Sequence, residues 1–418
     1  MRVRTLLNHC YKFKSFVYVN ERLKRDVAGG RIIVDIEARK NSRPICSGCQ
    51  RPGSVYDHQP EPRQFEFVPL WGMAVFFCYV MRRVNCRFCG VKVETVPWCE
   101  GKQQLTVAYQ LFLARWARRL SWKEVADVFN TSWEKVYHSV AHVVSHGLLH
   151  RDLQGIESIG VDEIQSGQGH QYLTLIYQID SGCRRLLAIT QERTVKSFLR
   201  GLRSLGKEHL SSIRYVCSDM WPAYLKVIKK KLPQALHVLD RFHIAKKLNE
   251  AVDDIRREES KKLKAEGYEP ILNNSRFCFL KHQENLTDKQ TIKLDELLEY
   301  DLKSVRAYLL KESFQAFWQY THPGWANKFL TAWCHKAMRS QLKPIKRFVR
   351  TLRRHQELMM NWFKAKKAYS SGVVEGLNRK INLVTRRAYG YKSFEVLKIA
   401  LFHTMGGLPE PEMTHNFC

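Results

Sequence analysis

Between Ser158 and Asp240 the hydrophobic pattern of this chain permits few folds. Ser158-Ile159-Gly160-Val161-Asp162-Glu163, Tyr172 to Asp180 and Arg185 to Ile189 are three successive runs rich in β-branched and aromatic residues. The turn-like Ser166-Gly167-Gln168-Gly169 and Ser181-Gly182 separate them, so they read as a three-stranded meander. A helical stretch from Thr194 to Leu205 follows, then an apolar strand from Ile213 to Asp219. A helix from Pro222 to Lys230 leads to a last short strand, Ala235 to Asp240. Helical crossovers make parallel neighbours and cover the sheet, so the pattern predicts an α/β layer: a meander extended by parallel strands.

That order is ribonuclease-H-like, and the acidic residues fall where such a sheet can use them. Asp162 lies in the first strand and Asp219 closes the fourth, and these two strands lie side by side in that fold. A pair of carboxylates there suits magnesium, a hard cation that prefers oxygen ligands. In two-metal chemistry one ion activates the attacking hydroxyl and the other stabilises the leaving oxygen at phosphorus. Glu163 is a rival for Asp162. Neighbours on a strand point to opposite faces, so at most one of the two serves the site. An Asp closing a strand is commonly a turn residue; the joint placement carries the inference.

A third carboxylate lies far downstream. From Ser370 to Gly390, Val373, Val374, Leu377, Ile381 and Val384 share one helix face, and Glu375, Asn378, Arg379, Asn382 and Arg386 gather on the other. One acid among cations suits a metal ligand beside a phosphate backbone; a solvated face is the plainer alternative. From Lys336 to Arg387 there are fifteen Lys and Arg against only Glu357 and Glu375. The whole chain, 418 residues, carries 69 Lys and Arg against 40 Asp and Glu, a net charge of +29. Such a surplus repels itself unless a polyanion offsets it, and nucleic acid is the polyanion expected, ahead of a ribosomal or membrane surface. The stretch 244–366 reads as helical throughout, with long surface helices at Ile244 to Lys264 and Gln283 to Leu310.

The first hundred residues look like short strands, among them Phe16 to Val19 and Arg31 to Ile36. Two Cys-x-x-Cys pairs, Cys46/Cys49 and Cys86/Cys89, offer four thiolates to a tetrahedral structural Zn2+. Their spacer exceeds that of a minimal zinc ribbon, and a hairpin at Gln64 to Met81 fills it. His58 and Cys99 are possible substitute ligands. The other cysteines are scattered singly, which speaks for a reducing compartment rather than a disulfide framework. Gln103 to Ser145 reads as a helix-turn-helix, with capping boxes at Ser121/Glu124 and Thr131/Glu134 opening its second and third helices. Ser132, Lys135, Tyr137 and His138 are its candidate DNA contacts; a plain helical hairpin is the alternative. No apolar run approaches the roughly 18 residues of a membrane span, and no signal core follows Met1-Arg2-Val3-Arg4, so a soluble cytoplasmic protein is expected.

Taken in order, these motifs resemble the DDE transposases of bacterial insertion sequences, most closely the ISL-three family. The resemblance rests on the cysteine pairs with Pro69-Leu70-Trp71-Gly72 between them, the helix-turn-helix, Ile159 to Glu163, and Ser218-Asp219-Met220-Trp221-Pro222-Ala223-Tyr224. Asp240-Arg241-Phe242-His243 and Glu375-Gly376-Leu377-Asn378 with Arg386 to Tyr391 complete it. It implies that Asp162, Asp219 and Glu375 form a catalytic triad holding two Mg2+ or Mn2+ ions, with Asp240 and His243 as a supporting Asp-x-x-His element. Arg379, Lys380, Arg386 and Arg387 become candidate DNA contacts. The implied layout is a zinc-binding domain at 1–100, a helix-turn-helix at 101–150, and a ribonuclease-H-like core at 151–243. An all-helical insertion at 244–366 and the last part of the core at 367–418 complete that layout. Such a protein would bind terminal inverted repeats, cleave the DNA ends and join them to target DNA, as a homodimer or higher oligomer at the nucleoid. A catalytically inactive DNA-binding descendant and a nuclease acting on RNA or junction DNA are the alternatives.

Overall fold

The computed structural model of the chain describes residues 2–26, 29–165, 171–366 and 372–412. The turn expected at 166–169 and the residues Ser370 and Ser371 lie outside them. The chain divides into two units, Met1–Asp152 with Ile381–Cys418, and Leu153–Lys380.

The first unit opens with helix α1 (Val3–Cys10) in a region expected to be short strands; only Leu7 of it is buried. Strands β1 (Phe16–Asp26), β2 (Gly29–Ala38), β3 (Ile45–Cys46), β4 (Ser54–His58), β5 (Arg63–Leu70), β6 (Met73–Tyr79), β7 (Arg82–Cys86) and β8 (Gly90–Thr95) follow. They form two sheets, ordered β1-β2-β6-β5 and β3-β8-β7-β4. Trp98 is fully buried among Phe13, Phe16, Phe65 and Tyr79, with ring centroids 4.9–5.9 Å apart. Within the second sheet Arg82 meets Glu94 at 2.7 Å in a buried ion pair, and the Tyr79 hydroxyl, from the first sheet, donates to the same carboxylate at 2.7 Å and ties the two together.

Helices α2 (Val107–Ala117), α3 (Trp122–Val128) and α4 (Trp133–His150) come next. The expected capping box of α3 forms in full between Ser121 and Glu124. The expected box of α4 does not. Its cap is Ser132, one residue later than Thr131, and the Ser132 hydroxyl accepts the Lys135 N–H at 3.3 Å. Two adjacent hydroxyls compete for one cap, and here the second wins.

In the second unit, β9 (Ser158–Gln165), β10 (Tyr172–Asp180) and β11 (Cys183–Gln191) form the meander. Helices α5 (Val195–Arg203) and α6 (Lys207–Ser211) lead to β12 (Tyr215–Ser218), and α7 (Pro222–Lys231) leads to β13 (Leu236–Leu239). The sheet order is β11-β10-β9-β12-β13, antiparallel through the meander and parallel from β9 through β12 to β13. A core of Ile159, Val161, Ile176, Phe198, Val216 and Tyr224 joins the sheet to α5 and α7.

Seven helices follow: α8 (Arg241–Ala265), α9 (Arg276–Leu280), α10 (Asp288–Leu298), α11 (Lys303–Gln315), α12 (Pro323–Arg339), α13 (Lys343–Arg354) and α14 (Gln356–Lys364). The described residues of 244–366 contain no strand, as expected. The single helix expected from Gln283 to Leu310 is broken, because Glu259 of α8 starts a new one. Its carboxylate accepts the backbone N–H groups of Lys303 at 2.8 Å and Ser304 at 2.7 Å, capping α11 from outside. Helix α15 (Gly372–Arg387) is counted with the second unit through Lys380 and with the first from Ile381. Helix α16 (Phe394–Met405) belongs to the first unit. No helix among the described residues is long and apolar enough to cross a membrane.

Candidate functional site

Register places the first two acids. Ser218, the last residue of β12, pairs with Val161 of β9, so Asp219 follows directly beside Asp162. Asp162 is only 9% exposed. Its Oδ1 accepts the Glu163 backbone N–H at 2.8 Å and its Oδ2 accepts the Asn378 side-chain N–H at 2.6 Å. Burial pushes its carboxyl upward, and the Glu163 N–H, His243 and Asn378 work against that shift. A buried carboxylate with mainly neutral donors is a group that a cation would stabilise.

Asn378 brings the third motif to the sheet. The Tyr177 hydroxyl, from the β10 residue opposite Gly160, donates to Asn378 Oδ1 at 2.7 Å. That bond orients the amide so that its N–H groups face Asp162. Gly160 explains how α15 comes so close. A Cβ there would sit 2.6 Å from Val374 Cγ2 and 3.2 Å from Ile179 Cγ2. The predicted apolar face of α15 holds, with Val374, Leu377, Ile381 and Val384 all buried. Glu375 is therefore carried on a helix seated two residues from Asp162, and it pairs with Arg379 at 2.7 Å.

Asp219 Oδ1 accepts the Trp221 N–H at 2.8 Å. Arg193 lies 4.0 Å over the Trp221 ring and pairs with Glu163 at 2.8 Å. Glu163, the rival acid, is thus engaged by a guanidinium. Burial pushes its carboxyl up to about 7, and Arg193 offsets part of that. Asp240 caps α8 by accepting the Phe242 N–H at 2.7 Å. His243 Nε2 stands 3.6 Å from Asp240 Oδ2 and 4.0 Å from Asp162 Oδ1. The structure thus gathers Asp162, Asp240, His243 and Asn378, with Asp219 next in register, while Glu375 is held by Arg379.

Among the described residues, one group of His, Cys, Asp or Glu has all its ligand atoms within metal-sharing distance: Cys46, Cys49, Cys86 and Cys89, within 4.8 Å of one another. The three acids are not drawn together to that degree. Cys46 ends β3 and Cys49 lies in the turn after it, Cys86 ends β7 and Cys89 lies in the β7–β8 turn, and Cys49 Sγ lies 3.5 Å from Cys86 Sγ. The N–H groups of Phe88 and Cys89 pull the Cys86 thiol down to about 6. Cys49 and burial push Cys89 up to about 12, since sulfurs this close cannot all ionise unaided. A divalent cation removes that conflict, and four sulfurs fit tetrahedral zinc. Cys99 instead donates to the Gln103 carbonyl at 2.9 Å, and neither it nor His58 belongs to the group.

The expected DNA contacts are placed unequally. Lys135 pairs with Glu66 at 2.7 Å, and Tyr137 packs on Trp122 at 5.5 Å. Ser132 is the α4 cap, while His138 is exposed. Arg379, Lys380 and Arg386 are exposed, and Arg387 donates to the Arg118 carbonyl at 3.1 Å. Sequence reasoning missed Tyr177, Asn378 as a partner of Asp162, and Arg193. Asn378 was legible as a polar-face residue and as the end of the motif Glu375-Gly376-Leu377-Asn378, but neither signal pointed to Asp162 as its partner.

A family model described as a transposase, of the ISL3 DDE type, matches residues 159–401. The transposase for insertion sequence element IS1557 of Mycobacterium tuberculosis is 27% identical over 412 residues, covering 93% of this chain and 92% of that protein. The transposase for insertion sequence element IS1001 of Bordetella parapertussis is 26% identical over 341 residues, covering 81% and 83%. The matched span runs from the strand of Asp162 through α15 and exceeds half the chain, so the protein belongs to the ISL3 family of DDE transposases.

Proposed function

We propose that this protein binds the terminal inverted repeats of its own insertion sequence, cleaves the DNA at their ends and joins the freed 3′ hydroxyls to target DNA. In this reading the five-stranded sheet is a ribonuclease-H-like core, and Asp162, Asp219 and Glu375 are its catalytic acids. The observation that carries the reading is the seat of α15 on β9: Val374 against Gly160, and Asn378 bonded to Asp162. Two of the acids lie side by side by register, and the helix bearing the third rests on the same strand. Magnesium or manganese, when bound by these carboxylates, supplies positive charge at the attacking and leaving oxygens of an in-line displacement.

The chain's own residues prepare that chemistry. Asn378 holds one oxygen of Asp162, and Asp240 with His243 supports the other. Arg379 keeps Glu375 paired until a stronger cation competes. The zinc-braced module and the α2–α4 helices would hold duplex DNA, and Lys380, Arg386 and Arg387 would meet its phosphates. Assembly on DNA as a dimer or higher oligomer, at the nucleoid, completes the proposal.

Single replacement of Asp162, Asp219 or Glu375 by Ala should abolish Mg2+-dependent cleavage of an inverted-repeat duplex while end binding persists in a mobility-shift assay. Cleavage retained by any one variant removes that residue from the triad. A wild-type protein that binds ends but never cleaves them would return the inactive descendant as the better account.

A further inference from the structure

Helix α15 ends at Arg387, and the turn behind it is built against backbone preference. Tyr389 has φ 53° and Gly390 has φ 98°. The Gly390 N–H donates to the Thr385 carbonyl and the Tyr389 N–H to the Arg386 carbonyl, each at 3.0 Å. A left-handed residue closing a helix is ordinarily Gly or Asn, because a Cβ there meets its own carbonyl. Here the first of two such positions is a tyrosine, and its side chain gains nothing from the fold, since Tyr389 is 101% exposed. Strain and a bare aromatic ring both oppose folding, so their coincidence points to a use outside it.

The turn is held at both flanks. Arg387 donates to the Arg118 carbonyl at 3.1 Å, and the Tyr391 ring packs on Trp122 at 5.8 Å. The ring of Tyr389 is thus presented by a fixed backbone. Its exposed neighbours are Arg386, Arg387 and Lys392, and no acidic residue occurs between Glu375 and Glu395. Glu124, which feels the charge of Arg387, is spent in the capping box of α3.

We infer that Tyr389 is a base-stacking contact: its ring lies against the face of an unstacked or unpaired DNA base, while Arg386 and Lys392 hold the adjoining phosphates. An aromatic ring within a cationic collar is how proteins grip nucleic acid at bases that have left the stack. The inference rests on the proposed function for its partner, DNA, and adds a site and a recognition chemistry. Trp71, 81% exposed with φ 50° before Gly72, repeats the backbone device, but Pro69, Leu70 and Met73 around it carry no cation, so the assignment stands on Tyr389.

The test uses the full zinc-loaded chain and a duplex of the inverted repeat flanking the coding sequence, with 2-aminopurine at its terminal base steps. Tyr389→Gly removes the ring and relieves the backbone, so its melting temperature should hold or rise. Its affinity should fall roughly 5- to 100-fold, with the salt dependence unchanged and the 2-aminopurine signal of unstacking lost. Tyr389→Phe should bind as the wild type does. Binding by Tyr389→Gly within about twofold of wild type, or a Phe variant as weak as the Gly one, overturns the stacking role. A wild-type protein that fails to bind the duplex sinks the proposed function instead, before any variant is read.

Discussion

Asn378 has one amide to divide between a buried phenol and a buried carboxylate, and the division depends on which way the amide points. With the Tyr177 hydroxyl donating to its oxygen, only N–H groups remain for Asp162. Tyr177→Phe should keep the ring packing but free the amide to turn, costing about 0.5–1.5 kcal/mol. We expect cleavage to slow by about 3- to 10-fold while DNA affinity holds. Asn378→Asp should be worse, because a carboxylate cannot donate to Asp162; equal rates for the two variants would show that orientation is not what matters. Glu163 gives a pH prediction. Its carboxyl titrates near 7 in the fold against an ordinary 4.5, so between those values the native state binds more protons than the unfolded chain. Stability of the metal-free protein should therefore fall as pH rises through that window, by on the order of 3 kcal/mol from this group. Glu163→Gln should flatten the decline in chemical-denaturation curves taken from pH 4.5 to 7.

At the scale of elements, the seat of α15 is a pairing of one absent side chain with one present. Gly160→Ala would drive a methyl into Val374, costing about 1–3 kcal/mol as overpacking. The second effect, displacement of the turn holding Glu375, should cost most of the cleavage activity. Val374→Ala makes room, so the double variant should regain activity over Gly160→Ala alone; additive losses would mean the two residues do not share a contact. The sequence made the sheet legible because period-two runs and helical crossovers leave little choice of strand order. It also placed Asp219 beside Asp162, since that adjacency follows from the order. It did not reveal the break before α11, whose cause is Glu259, a carboxylate on another helix. Nor did it reveal the Tyr177–Asn378–Asp162 chain, which joins residues some two hundred positions apart through polarity that any surface helix could carry. Ser132 displaced Thr131 as the α4 cap because both are competent and only the folded backbone decides.

For the molecule as a whole, its charge and its four-cysteine group, a fit for zinc, each give a prediction. A net charge of +29 predicts DNA affinity that falls linearly in the logarithm of salt concentration. Lys380→Gln and Arg386→Gln should each lower that slope by about 1 if their side chains meet phosphates, and an unchanged slope would dismiss the contact. Removing zinc by chelation, or Cys89→Ser, should melt the sheet of β3, β8, β7 and β4, because four crowded sulfurs then have no cation to hold them. Calorimetry of Cys89→Ser should show the transition of Leu153–Lys380 unmoved, as all four cysteines of the group lie in the other unit. The seat at Gly160 has a consequence at a larger scale still. A mobile element leaves copies of itself that drift, and under the proposed function a copy carrying Gly160→Ala would lose cutting while keeping most of its fold and its grip on DNA. Such a copy would be no silent relic: it would occupy the same ends as its active sibling, and a single worn glycine would turn a mover of DNA into its own brake.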